Sequence, residues 1–242
     1  MSLLDEAIDA AGGRSRWQKA ERISAHVQSS GLLMRMKGKA DRFHDYGLSV
    51  ATERQYAVIE PYPGEGSRGV FDTGAVRIEG TDDSVISERR DARQAFFGLA
   101  GLRRNLRWDD LDALYFAAYA MWNYMNIPFV FDRPGFEVAE GEPLPVDGES
   151  WRRLNVVFPE GFHTHCREQA FYFDDKGLLR RHDYHPDPVS SLANSAHLCD
   201  GHREFDGLVF PTERRVVPKS LRGRPLRGPT VVSLSLDSVE VR

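Results

Sequence analysis

Four of the chain's eight histidines fall between residues 162 and 185, in FHTHCREQAFYFDDKGLLRRHDYH. Imidazoles one residue apart project from one face of a strand, where they can share a divalent metal or carry protons near neutral pH. Asp174 to Gly177 reads as a hairpin turn, because Gly, and to a lesser degree Asp, tolerates the positive φ such turns demand. With Phe173 opposite Leu178, Gln169 faces His182, Arg167 faces Tyr184 and His165 faces Pro186, so His163, His165 and His182 share a face. His165 and His182 are then about four residues apart along the ladder, or about 13 Å, too far for one ion. The expectation is a protein with no bound metal and no cofactor. Were a metal held, its ligands would be His163, His165 and Glu168.

The run H-T-H-C-R-E resembles the first motif of the cupin family, in which two histidines one residue apart and a glutamate three or four further residues on hold iron, manganese or zinc. That resemblance implies a metal-dependent enzyme using His163, His165 and Glu168 or Gln169. Glu168, however, points to the opposite face, with Cys166, Ala170 and Tyr172 against Leu179, Arg181, Asp183 and His185. Glu168 across from Asp183 would make a cofactor-free acid–base pair, or else a ladder of surface ion pairs.

The elements that position these residues are mostly strands. RISAHVQSSGLLM alternates Ile23, Ala25 and Val27 with polar neighbours, YGLSVATERQYAVIEPY holds two further β-prone runs, and GVFDTGAVRIEGTDDSVISERR reads as three short segments separated by Asp-Thr-Gly and Gly-Thr-Asp-Asp. After residue 128 the strands resume to the end of the chain, Asp206-Gly207 marks another hairpin, and the Pro-rich EGEPLPVDGES is expected to be a loop. Two helices interrupt the pattern. A short amphipathic one over residues 2–11 is ended by Gly12 and Gly13. A longer one over 109–125 starts at Asp109, is supported by Asp112 three residues on, and stops at Asn126 before Ile127 and Pro128.

The longer helix is apolar on every side: Leu111, Leu114, Tyr115, Ala118, Trp122 and Met125 recur at helical spacing, and Phe116, Tyr119 and Tyr124 make the remaining face aromatic. A helix of this kind attached to a long curved sheet must lie on the concave side, and both of its faces need cover. The fold class expected is mainly β: one domain over residues 1–242, a curved antiparallel sheet or half-barrel of about eleven to twelve strands, and a helical lid.

Composition narrows the functions. Of 242 residues, 41% are hydrophobic, enough for a sizeable core, and 32 basic against 36 acidic residues leave a net charge of −4. No long basic run such as a nucleic-acid or anionic-membrane surface would want is visible, so nucleic acid is not an expected partner. The N-terminus carries Asp5, Glu6 and Asp9 where a signal peptide would be basic and apolar, and ALYFAAYAMW is half a membrane span. A soluble, cytoplasmic protein without integral membrane association is expected, with Cys166 and Cys199 as reduced thiols.

The succession of an N-terminal helix, meander strands with GVFDTGAVRIEG, a mid-chain aromatic helix, and a closing series with LLRRHDY and EFDGLVFPTERRVV resembles the half-barrel fold of the bacterial lipoprotein carriers (LolA/LolB-like). In that family about eleven antiparallel strands curve around a hydrophobic cavity with helices as its lid, and the ligand is the acyl chains of lipoproteins. The resemblance implies a cavity and carries over no residue. The expected function is binding of an apolar or amphipathic small molecule, with Tyr115, Tyr119, Trp122 and Phe129 lining the cavity and Arg181, Asp183 and His185 at its polar edge. The alternatives are the metal-dependent or acid–base enzyme and a structural interaction domain.

Overall fold

The computed structural model describes residues 1–242 apart from 147, 191, 192, 221 and 222. The alternating runs form thirteen strands: β1 (Arg22–Ser30), β2 (Asp45–Ala51), β3 (Tyr56–Glu60), β4 (Ser67–Asp72), β5 (Ala75–Gly80), β6 (Val85–Arg89), β7 (Glu137–Val146), β8 (Glu149–Val157), β9 (Glu168–Phe173), β10 (Leu179–Tyr184), β11 (Ser195–Phe205), β12 (Leu208–Pro218) and β13 (Val232–Val241). They make one open antiparallel sheet in the order β6-β5-β4-β3-β2-β1-β13-β12-β11-β10-β9-β8-β7, curved as a half-barrel. The helices are α1 (Leu3–Ala10), α2 (Arg14–Trp17), α3 (Leu32–Met36), α4 (Gly98–Arg104) and α5 (Asp110–Asn126).

The strand count exceeds the expected eleven to twelve, partly because EGEPLPVDGES is not a loop. Most of it lies in β7 and the start of β8. Pro143 and Pro145 cannot donate to a ladder, and β7 accommodates them because it is an edge strand whose register slips between Gly141 and Leu144.

Strand order dictates where α5 goes. β1 to β6 run outward to one edge, the chain then passes to β7 at the opposite edge, and β13 returns to pair with β1. The β6-to-β7 connection must therefore cross the whole sheet, and α5 is that crossing. Its start is a reciprocal box: Asp112 N–H donates to Asp109 Oδ1 (2.8 Å), and Asp109 N–H donates to Asp112 Oδ2 (3.1 Å). Asp112 is fully buried and accepts from both Arg89 Nη1 and Arg104 Nε at 2.6 Å. Every residue from Asp112 to Asn126 is buried, which an apolar helix inside a half-barrel requires. One side of α5 packs on β2 to β6.

Candidate functional site

The opposite side of α5 is covered by the chain itself. Between β8 and β9, residues 158–167 leave the sheet and lie over the helix as a strap. Gln55 clamps it from β3's side, its side chain accepting from His163 N–H (3.0 Å) and donating to His163 O (2.8 Å), while Asn123 Nδ2 donates to the same carbonyl (2.9 Å). Arg93 Nη1 donates to Thr164 O (2.7 Å). His163 Nδ1 meets the Tyr115 hydroxyl at 2.9 Å; His165 Nδ1 meets that of Tyr119 at 3.0 Å and His165 Nε2 that of Tyr124 at 2.8 Å.

His165 is therefore not on the ladder, and the 13 Å separation from His182 does not hold: the two rings are 6.3 Å apart. The hairpin register also differs. The turn after Phe173 holds one more residue, with Asp174 N–H donating to Leu178 O (3.0 Å), so Phe173 pairs with Leu179. A bulge between Leu179 and Arg181 adds a second shift, and His182 pairs with Phe171 instead of Gln169. Two single-residue shifts restore the facing, so His182 still points at the helix. Its ring stacks on Phe171 at 4.2 Å, and its Nε2–H donates to Gln169 Oε1. His197 of β11 joins the group, 5.8 Å from His182 and 4.6 Å from Tyr124.

Burial neutralises this cluster. It pushes His165 down to about 3 and His163 down to about 4, helped in each case by the charge of Arg93. His182 and His197 lie well below the ordinary histidine value for the same first reason, with neighbouring histidines and Arg214 adding to it. The facing tyrosines are raised by burial, Tyr115 to about 12, and Tyr119 and Tyr184 well above the ordinary tyrosine value. Burial pushes the Cys166 thiol up to about 11 and raises Cys199 as well; both are buried free thiols. None of these groups is poised to exchange protons or attack near neutral pH.

The proposed ligand set His163, His165 and Glu168 is not assembled. His163 turns to Tyr115 and Phe71, His165 to Tyr119 and Tyr124, and Glu168 is exposed; among the described residues no three His, Cys, Asp or Glu side chains group as a metal site. Glu168 does not face Asp183 either, because the same two shifts place Ala170 there. Asp183 instead accepts from Arg181 (2.6 and 2.8 Å) and from Lys219 Nζ (2.8 Å). Arg181, Asp183 and His185 line an outer groove of about 530 Å³ with Arg153 and Tyr172, away from the helix. They are not the edge of an inner cavity.

Tyr115, Tyr119, Trp122 and Phe129 are likewise core. All are buried; Trp122 Nε1 donates to Ala51 O (2.8 Å), and Phe129 stacks on Trp17 at 4.2 Å. They line neither of the two apolar spaces that adjoin on the inner side. The first, a cavity of about 70 Å³, lies among Leu33, Tyr46, Phe116, Met121, Tyr124 and Tyr184. The second, a groove of about 450 Å³, is bounded by Val189 and Val216 and shares Leu33, Phe116, Tyr184, Val231 and Val232 with the first. Ligand sites usually span about 300–1,000 Å³, so the groove has room for a small molecule and the cavity extends its inner end. The sequence reading missed Leu33, Val231 and Val232. The only trace of them is the pair of apolar runs LLM and VV, which look like strand residues.

No family model matches the sequence, and a comparison with curated proteins found no match. Solved structures are similar across the whole chain. A LolA superfamily protein from Nitrosomonas europaea is 12% identical with a TM-score of 0.53, covering 99% of this chain and 92% of that one. A DUF1329 family protein from Desulfovibrio piger is 12% identical with a TM-score of 0.52, covering 99% and 91%. A domain assigned as an outer membrane lipoprotein-sorting protein from Vibrio parahaemolyticus is 7% identical with a TM-score of 0.55, covering 99% and 92%. The thirteen-stranded half-barrel around a buried helix is a LolA-like fold.

Proposed function

We propose that the protein binds an apolar or amphipathic small molecule, and that the ligand occupies the groove between α3, the entry to β13 and the segment after β10. The observation that carries this reading is the apolar groove of about 450 Å³, which shares Leu33, Phe116, Tyr184, Val231 and Val232 with a neighbouring cavity of about 70 Å³. An aliphatic chain laid there removes apolar surface from water along the groove, one wall of which is the phenol of Tyr184. The lipoprotein-sorting domain among the similar structures supports the same class of ligand. The histidine–tyrosine cluster, in this reading, holds the strap and helix in place and does no chemistry.

Titration with a fluorescent fatty acid tests the reading. The wild-type protein binds the probe, and Val232→Trp, which fills the half-exposed wall of the groove, weakens binding about tenfold or more with little change in stability. No binding by the wild type, or equal binding by the filled variant, would overturn it.

A further inference from the structure

Two short stretches that are far apart in the sequence meet at the mouth of the groove. Leu32 N–H donates to Thr230 O (3.3 Å) and Leu33 N–H to Val231 O (3.0 Å), which laces α3 to the segment entering β13. At the other end of α3, Lys37 Nζ donates to Arg104 O (3.0 Å) and Asn105 O (2.8 Å), and Trp108 N–H donates to Lys37 O (3.1 Å), so residues 104–108 lie alongside. These three segments carry Leu32, Met36, Leu106 and Leu226, which are 37%, 69%, 80% and 43% exposed. They are four of the eight large hydrophobic side chains exposed among the described residues, so half of these side chains lie on the three segments.

Cations lie among them. Arg35, Arg107, Arg224 and Arg227 are all exposed, and Arg103, also exposed, pairs with Asp109 at 3.5 Å. Lys37 is buried, Lys39 and Arg42 are paired with Asp110 and Lys219 with Asp183, so the exposed charge of these segments rests on Arg35, Arg107, Arg224 and Arg227 against Asp41, in a chain whose net charge is −4. The carboxylates closest in the chain to α5's start are already occupied, Asp110 by Lys39 (2.7 Å) and Arg42 (2.9 Å), and Asp109 by Arg89 (2.8 Å). The rim is therefore positive where the molecule as a whole is negative.

We propose that this rim docks the mouth of the groove onto an anionic lipid bilayer. A lone exposed leucine is ordinary, but aliphatic side chains interleaved with guanidiniums match the boundary of a membrane, where the former enter the acyl region and the latter meet phosphates. The exposed apolar residues are aliphatic and offer no platform for stacking bases, which sets nucleic acid aside. Docking is peripheral: no helix among the described residues is long and apolar enough to cross a membrane. Because Leu33, Val231 and Val232 of the laced segments also line the groove, docking places it beside the lipid. The surface is tested independently of what the groove holds.

Flotation with vesicles separates the outcomes. The wild-type protein binds vesicles of equimolar phosphatidylcholine and phosphatidylglycerol, binds pure phosphatidylcholine much less, and loses the difference in high salt. Arg224→Ala and Arg227→Ala each lower partitioning about fivefold, the worth of one cation near an anionic surface. Met36→Ser and Leu106→Ser lower it too, and since all four side chains are exposed the melting temperature stays put. Fatty-acid binding in solution by these variants stays at the wild-type level, so loss of docking and failure of the ligand reading are told apart. Absence of vesicle binding, equal binding to neutral and anionic vesicles, unchanged partitioning in all four variants, or retention by a soluble protein partner without vesicle binding would each overturn the proposal.

Discussion

The imidazole of His165 lies flat on the phenol of Tyr184, with ring centroids 4.0 Å apart and planes 6° from parallel. Both of its nitrogens are taken by tyrosine hydroxyls from α5, Tyr119 at 3.0 Å and Tyr124 at 2.8 Å. A single strap residue thus joins the helix to β10. That junction favours the neutral ring, because burial and the nearby charge of Arg93 both oppose an imidazolium there.

Acid should therefore weaken the fold. The pKa of His165 is lowered from 6.5 to about 3 in the folded chain, so between those values the unfolded chain takes up a proton that the folded one refuses. Stability is full above the unfolded value and falls as pH drops through the window, at up to about 1.4 kcal/mol per pH unit for each such histidine. His163, His182 and His197 are lowered as well and add to the slope. Urea unfolding followed from neutral pH down to about pH 5 shows the loss, and His165→Gln flattens it by about one proton. A slope unchanged in the variant would remove His165 from the account.

Trp122→Ala should behave as a core truncation. The indole is fully buried and its N–H holds the Ala51 carbonyl, so the expected loss is about 3–5 kcal/mol by chemical denaturation. A loss under about 1 kcal/mol would mean that the ring faces open space.

Removing the charge of Asp112 should cost about as much. Asp112→Asn removes the buried carboxylate to which both Arg89 and Arg104 donate, although Asp109 stays beside them, and weakens the box that starts α5, with an expected loss of about 3–5 kcal/mol. A double variant that also replaces Arg104 recovers part of it if the pair, and not the cap, carries the effect.

Gly74 makes the two-residue turn between β4 and β5, at φ +92, and a methyl added there would collide with the His163 ring. Gly74→Ala should lower stability by about 1–3 kcal/mol, through backbone strain and displacement of the strap. Adding His163→Ala should return part of that, a coupling of about 0.5 kcal/mol or more in a double-mutant cycle. Strict additivity would confine the cost to the turn.

Local chemistry made much of the architecture legible. Period-two alternation, the Asp-Thr-Gly and Asp-Gly turns and the Asp109–Asp112 start of the aromatic helix are properties of neighbouring residues, and they determined a mainly antiparallel sheet wrapped around one apolar helix. The histidines and the ligand groove were not legible in that way. Where His165 sits depended on residues 158–167 leaving the sheet to cover α5, and where His182 pairs depended on one extra turn residue and a bulge, neither of which has a signature at short range. The groove and its basic rim are assembled from α3 and the approach to β13, which meet only because β1 and β13 are neighbours in the sheet. Neither stretch is a long basic or apolar run, so their joint character exists only after the long-range pairing of the first strand with the last has closed the two halves into one sheet.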